Sequence, residues 1–283
     1  MKHMKEYLFL VVFALSSTAS AIVIRDDTED EKYQVPASAL PALADFPGEG
    51  HGVLISPQWV VTAAHVACMQ HHVPEIVING LSREVESVVV HSGYKTPPQA
   101  LIKETLASGD GSELRAFLAS SDDIALVKLK APVSDVKPIS LYRGRDEIGS
   151  TVKLIGKGAT GSGSDGPEPH APHRTSLRRA FNVISSVDTR WISYSFDPPE
   201  SAVQLEGMSG NGDSGGPVLI REQGQWQLAG LVAWETSQRD LRMYHGARYG
   251  DGGNNVRISH YIEWIESTIA VGAQRQSAAL PEA

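Results

Sequence analysis

The sequence predicts an all-β fold, a sandwich or a pair of barrels, with one helix near the C-terminus. Three observations carry this. Short runs rich in Val, Ile, Trp and Tyr recur between clusters of Gly, Pro, Asn and Asp. The chain has 283 residues, 41% of them hydrophobic, enough for a sizeable core in one large domain or two small ones. Only two segments, 98–120 and 259–271, break the pattern of short strands.

In chain order, residues 1–21 read as a signal peptide. Lys2 and Lys5 give a positive start, Leu8 to Leu15 form a short apolar run, and Ala19-Ser20-Ala21 offers small residues suited to signal peptidase. The run is shorter than the roughly 18–20 apolar residues of a membrane span. Strands are expected near 52–55, 59–62, 75–78, 84–91, 124–129 and 151–155. More are expected near 179–184, 191–196, 217–220, 226–234 and 255–258. The segment 98–120 sets Leu101, Leu106, Leu114, Phe117 and Leu118 among Ala and Glu, and reads as an insertion with short helices. The Gly/Pro/Ser-rich stretch 161–173 reads as an exposed loop. In 259–271, Ile262, Ile265 and Ile269 share one helix face with Tyr261 and Trp264 beside them, and Gly272 suits a C′ position. Residues 274–283 read as a frayed tail.

Net charge is −8 and no long basic run exists, which argues against a nucleic-acid partner. The single cysteine, Cys68, excludes an intramolecular disulfide framework and a multi-cysteine zinc site. An exported chain without disulfides is expected more of a bacterium than of an animal.

Three strings could carry chemistry. Gly212-Asp213-Ser214-Gly215-Gly216-Pro217 can hold a serine on a tight turn with backbone N–H groups converging beside it. Alone, the same letters describe a glycine-rich turn before a strand. Thr62-Ala63-Ala64-His65 puts a histidine just past an apolar strand, where its ring can reach a cleft; alone, it is an ordinary core or surface histidine. Asp123-Ile124-Ala125-Leu126 opens a strand with an acid, and Asp122 beside it competes for any role. The G-x-S-x-G string also fits the nucleophile elbow of α/β-hydrolases, but 204–211 is not an apolar strand and the order His, Asp, Ser is wrong. Gly156 to Gly161 spells G-x-G-x-x-G, yet the loop after it cannot be the helix of a dinucleotide site. His65, Cys68 and His71 lack a second pair of zinc ligands.

Taken together, His65, Asp123 and Ser214 in that order and in those strings resemble the chymotrypsin/trypsin family of serine endopeptidases. The likeness extends to Pro57-Gln58-Trp59-Val60-Val61, to His91 and Tyr94, to Leu154-Ile155-Gly156-Lys157-Gly158 and to Tyr261-Ile262-Glu263-Trp264-Ile265. It spans roughly residues 50–270. The resemblance implies two Greek-key six-stranded β-barrels and a C-terminal α-helix. It divides the chain into a signal peptide (1–21), an N-terminal segment with the first barrel (22–140), the second barrel (141–258), the helix (259–272) and a flexible tail (273–283). It implies Ser214 as nucleophile, His65 as base, Asp123 as its orienting acid, and the amides of Gly212 and Ser214 as an oxyanion hole. It further implies an ion pair between Asp213 and a new N-terminus. Here Ile22-Val23 directly follows Ala21, so signal cleavage alone would create that terminus.

The implied substrate pocket comprises Met208, Ser209, Ala233, Trp234, Glu235 and Gly253. Several letters depart from the family. Val66 and Gly210 stand where half-cystines are usual. Met208 replaces the pocket-base aspartate of trypsin-like enzymes, so weak preference for Lys or Arg is expected. Glu235 replaces a glycine, and Ala233 replaces a serine that supports the catalytic aspartate. The expected protein is a secreted or periplasmic serine endopeptidase acting on protein or peptide substrates. It is expected to be monomeric, without metal or organic cofactor, nucleic acid or membrane span. The alternatives are a catalytically silent homologue used as a protein-binding module and an esterase on the same scaffold.

Overall fold

The computed structural model describes residues 22–69, 72–168, 176–243 and 246–278. The expected signal peptide and His71 lie outside them. The first strand, β1 (Ile22–Ile24), belongs to the second half of the molecule.

The first half is a closed barrel. Its strands are β2 (Leu43–Asp45), β3 (His51–Ser56), β4 (Trp59–Thr62), β5 (Glu75–Ile78), β6 (Leu81–Val90) and β7 (Ala125–Leu129). They join in the order β2-β3-β4-β7-β6-β5, and the ladders are antiparallel. Strand periodicity divides the apolar residues between two cores. Leu54, Val60 and Val127 cluster with Phe46, Ile76 and Ile78 inside the barrel. One position along, Val53, Val61 and Leu126 cluster with Leu219, Leu231 and Val256 of the second half. Helix α1 (Ala64–Cys68) follows β4, and the insertion between β6 and β7 forms α2 (Gln99–Ser108) and α3 (Ser112–Ala119).

The second half contains β8 (Thr151–Gly156), β9 (Thr160–Ser162), β10 (Gly166–Pro167), β11 (Arg178–Val183) and β12 (Ser186–Val187). It continues with β13 (Trp191–Ser195), β14 (Gly207–Met208), β15 (Pro217–Glu222), β16 (Gln225–Thr236) and β17 (Gly252–Arg257). Seven of these form one sheet in the order β11-β8-β15-β16-β17-β13-β12, a half-barrel around Val152, Leu154, Ile192, Tyr194, Phe196 and Val218. A small sheet, β10-β9-β1-β14, flanks it. The all-β class expected from the sequence is the class observed.

Three expectations change. Of the expected exposed loop 161–173, residues 161–167 form a hairpin, and 169–173 lie outside the described residues. Gly161 lies so close to Gly166 that a Cβ would overlap its carbonyl, and β9 pairs in parallel with β1. The last helix, α4 (Ile258–Ala278), runs past Gly272. That glycine is a close-packing site: a Cβ there would lie 2.5 Å from the Trp59 ring, and its carbonyl accepts from Lys128 Nζ at 3.4 Å. Residues 22–34, grouped from sequence with the first barrel, pack on the second half. The buried Arg178 guanidinium pairs with Asp30, and the Tyr33 hydroxyl donates to the Glu206 carbonyl at 2.9 Å.

Candidate active site

Strands β4 and β7 are neighbours, with Thr62 opposite Ala125. His65, three residues beyond Thr62, and Asp123, two before Ala125, therefore leave the barrel at the same end. Asp123 Oδ2 lies 2.6 Å from His65 Nδ1, and Oδ1 accepts the His65 backbone N–H at 2.8 Å. The histidine side chain keeps 28% of its surface exposed and the aspartate 10%. Burial disfavours a charged imidazole, but the charge and hydrogen bond of Asp123 outweigh it and hold His65 above its ordinary value. Ala233 offers Asp123 no hydroxyl, and among the described residues both hydrogen bonds to this carboxylate come from His65. Asp122 turns elsewhere: the Tyr261 hydroxyl donates to it at 2.8 Å and Arg190 Nε at 2.7 Å.

Ser214 shares with His65 a cleft of about 460 Å³. No hydrogen bond joins the two side chains among the described contacts. The serine loop is shaped by glycine. Gly212 adopts φ +90°, and at Gly215 (φ +72°) a Cβ would overlap the His51 carbonyl and the Thr62 hydroxyl. The amides of Gly215 and Gly216 donate to Val232 and Asp213 carbonyls at 2.7 and 2.9 Å. Those of Gly212 and Ser214 have no partner among the described residues, and both residues line the cleft.

The loop is anchored by Asp213, which is 1% exposed. Its carboxylate accepts from the Gly158 amide at 2.8 Å, from the Gly210 amide at 2.9 Å, and from the Ile22 amide. Burial raises its pKa despite these bonds and the nearby His51. Ile22 and Asp213, paired from sequence, are thus in contact. Ile22 is buried, with φ 68°, a costly conformation for a β-branched side chain.

Sequence reasoning missed His51 and Asp45. His51 Nε2 accepts the Lys157 amide at 3.2 Å, so Nδ1–H donates to Asp45 at 3.1 Å. Lys157 Nζ reaches the other Asp45 oxygen at 2.9 Å. These partners outweigh burial and hold Asp45 down at about 2. The His51 amide also donates to the Ser214 carbonyl at 2.7 Å, tying the serine loop to the first barrel. The available signal was a histidine and an aspartate flanking the turn of Pro47 to Gly50 between apolar runs.

Of the six pocket residues, Ser209, Ala233, Trp234 and Glu235 line the cleft. Met208 and Gly253 do not. Met208 pairs with Val23 and lies wholly within the core, and the residue lining the cleft is the next one in the chain, Ser209. Gly253, opposite Glu235 in the ladder, is covered by the ring of Tyr194, which sits 2.5 Å from where a Cβ would be. The buried Tyr194 hydroxyl lies 3.4 Å from Ser209 Oγ, and desolvation raises its pKa well above the ordinary range. Glu235 is half-buried and accepts the Ala247 amide at 3.0 Å. Among the described residues no group of His, Cys, Asp and Glu could hold a metal, and no helix is long and apolar enough to cross a membrane.

Residues 31–265 match the family described as trypsin. The chain is 29% identical over 237 residues to the complement C1s subcomponent of Sus scrofa, covering 77% of this chain and 32% of that one. It is 27% identical to snake venom serine protease rhinocerase 4 of Bitis rhinoceros, covering 77% of each chain. Trypsin II-P29 of Gallus gallus is 26% identical, over 94% of this chain and 99% of its own. The chain thus spans about a third of the pig protein and nearly all of the chicken one.

Proposed function

The chain belongs to the trypsin family of serine proteases, and from that premise we propose that it is an exported endopeptidase working through His65, Asp123 and Ser214. The observation that supports this best is the pair of hydrogen bonds between His65 and Asp123 in a cleft that also holds Ser214. Ser214 Oγ attacks the scissile carbonyl carbon while His65 Nε2 takes its proton. The C–N bond then breaks as His65 passes that proton to the leaving amine, and Ser214 is left acylated. A water, deprotonated by His65, attacks the ester and frees the serine. Asp123 fixes the Nδ1–H tautomer and balances the imidazolium. The amides of Gly212 and Ser214 receive the oxyanion, a task in which one donor is typically worth about 3 kcal/mol. The Ser214–His65 contact tightens as substrate fills the cleft.

Activation belongs to the same reading. Cleavage after Ala21 would turn the Ile22 amide into an ammonium beside Asp213, adding a permanent charge partner to a buried carboxylate whose other charged neighbour is His51. It would also release the Ile22 φ constraint, since a terminal residue has no preceding peptide plane.

An organophosphonate tests the proposal. One adduct on Ser214 is expected, absent in Ser214→Ala. A folded protein that takes no label would favour the silent binding module. A labelled protein that cleaves activated esters but no peptide would favour the esterase.

A further inference from the structure

We propose that the outer face of the second half carries a binding site for an anionic polysaccharide, built by Lys153, Arg179 and Arg221. The three come from neighbouring strands, β8, β11 and β15. Lys153 stands opposite Phe181 of β11 and Leu219 of β15, and Arg179 and Arg221 lie two residues along from those partners, in opposite directions. Diagonal neighbours in a sheet are about 7–8 Å apart, so the cations form a row of about 15 Å. Val152, Leu154, Ala180 and Ile220, next to them in the strands, belong to the half-barrel core. Alternation therefore turns all three cations outward.

No acid balances the row. Among the described residues none of the three cations is ion-paired, although the chain has 33 Asp and Glu against 25 Lys and Arg. Arg221 Nε donates to the Gly224 carbonyl at 3.3 Å, and Lys153 Nζ rests 4.2 Å from the centre of the Trp226 ring. Glu222, beside Arg221, belongs to the other face, where its charge bears on the core residue Tyr142. The charges that act on half-buried Lys153 are the two arginines, and with burial they lower its pKa to about 8. A bound anion relieves that repulsion at each member of the row.

The surroundings select the occupant. A peptide that adds as a strand needs a free sheet edge. The outer edge of β11 is taken, since the Arg179 amide donates to the Tyr33 carbonyl and the Phe181 amide to the Leu205 carbonyl, both at 2.9 Å. Single-stranded nucleic acid needs open ring faces on which to stack its bases. Here Lys153 covers Trp226, and Phe181 leans on the same ring with centres 6.3 Å apart. The surface thus suits anionic groups repeated along a chain that carries no bases. Guanidinium forks match the oxygens of sulfate and carboxylate groups. With a net charge of −8 the protein repels polyanions elsewhere, so the row decides where such a chain lies.

The test titrates the full protein with fluorescent dextran sulfate at neutral pH, with inorganic sulfate, polyglutamate and single-stranded DNA as competitors. Dextran sulfate should bind, and a fourfold rise in salt should weaken it roughly ten- to fiftyfold, as expected when three contacts release counterions. Replacing both exposed arginines, Arg179→Gln with Arg221→Gln, should cost about tenfold or more in affinity at low salt. Arg143→Gln, at an exposed arginine paired with Glu266 on α4, should change affinity less than about twofold. Inorganic sulfate should compete no better than chloride of equal ionic strength. The site is overturned if dextran sulfate does not bind, if the double variant binds as well as the starting protein, or if Arg143→Gln costs as much. Polyglutamate or DNA competing as well as dextran sulfate would overturn the polysaccharide as occupant, and sulfate competing beyond its ionic strength would replace the row by a single-ion site. None of these outcomes bears on the endopeptidase reading.

Discussion

In the closed barrel, His65 and Asp123 stand just beyond the paired residues Thr62 and Ala125 of adjacent strands. In the open half, Ser214 stands in a loop between β14 and β15 with no ladder of its own. The first pair is placed by backbone hydrogen bonds that no titration alters. The serine loop is placed by glycine conformations and by one buried carboxylate drawing in the amides of Gly158, Gly210 and Ile22. One half of the site is built into the sheet, and the other is held by a charge that is costly to bury.

The sharpest way to break the ladder-built half is Asp123→Asn. It should lower kcat/KM by about four orders of magnitude, because the wrong imidazole tautomer is then favoured, while the melting temperature stays within a few degrees. Steady-state kinetics with thermal unfolding would check both. Asp122→Asn should cost far less activity, since that side chain serves Tyr261 and Arg190.

The pinned half should fail differently. Asp213→Asn is expected to lower kcat/KM by about a hundredfold or more through the oxyanion amides. An extra Ala before Ile22 should cost the starting protein at least about tenfold but cost Asp213→Asn little more, since the partner is already gone. A cycle of four proteins measures this coupling; additive losses would show that terminus and aspartate act separately.

A pH profile sharpens the contrast. In the proposed mechanism His65 must be neutral to act as base, and Asp123 raises its pKa. The rate should therefore fall as pH drops through a value above the ordinary 6.5 or so. In Asp123→Asn, the residual activity should show its acid limb at lower pH.

The smallest effect concerns the tie between the halves. Asp45 is lowered from 3.8 to about 2 in the fold, so its stabilisation is present above pH 3.8 and is lost as pH falls through 2. Asp45→Asn should cost roughly 2 kcal/mol at neutral pH and almost nothing near pH 2, as read from denaturant titrations at the two pH values.

The sequence made the longer strands legible because four or more residues rich in Val, Ile, Leu and aromatic side chains, bounded by turn residues, leave a run to read. It could not show β1, β2, β9, β10, β12 or β14, whose two or three residues have none. Ile22-Val23-Ile24 looked like the residue run after a cleavage site, and only the fold makes it a strand between β9 and β14. His65, Asp123 and Ser214 stand out as candidates only together, from their order and their three strings, since each string alone has an ordinary reading. The pocket was less legible. Position relative to Ser214 pointed to Met208, but that side chain lies in the core and the next residue, Ser209, lines the cleft. Tyr194 reads as one more strand aromatic until its register opposite Gly253 is known. Gly272 read as a helix stop because a glycine near a helix end usually is one; contact with Trp59 gives it another use.

The two ends of the described chain are exchanged between the halves. β1 joins the small sheet that flanks the second half and the segment behind it packs there, while the far turns of α4 rest on Trp59 and Lys128 of the first. A single cut in the connection near residue 140 would leave two fragments, each gripping the other by an end it does not own. To part them, a strand must leave a sheet and a helix must leave a barrel in the same event. Nicked protein should therefore elute as one particle until it is denatured, a cross-lashing achieved with no disulfide between the pieces.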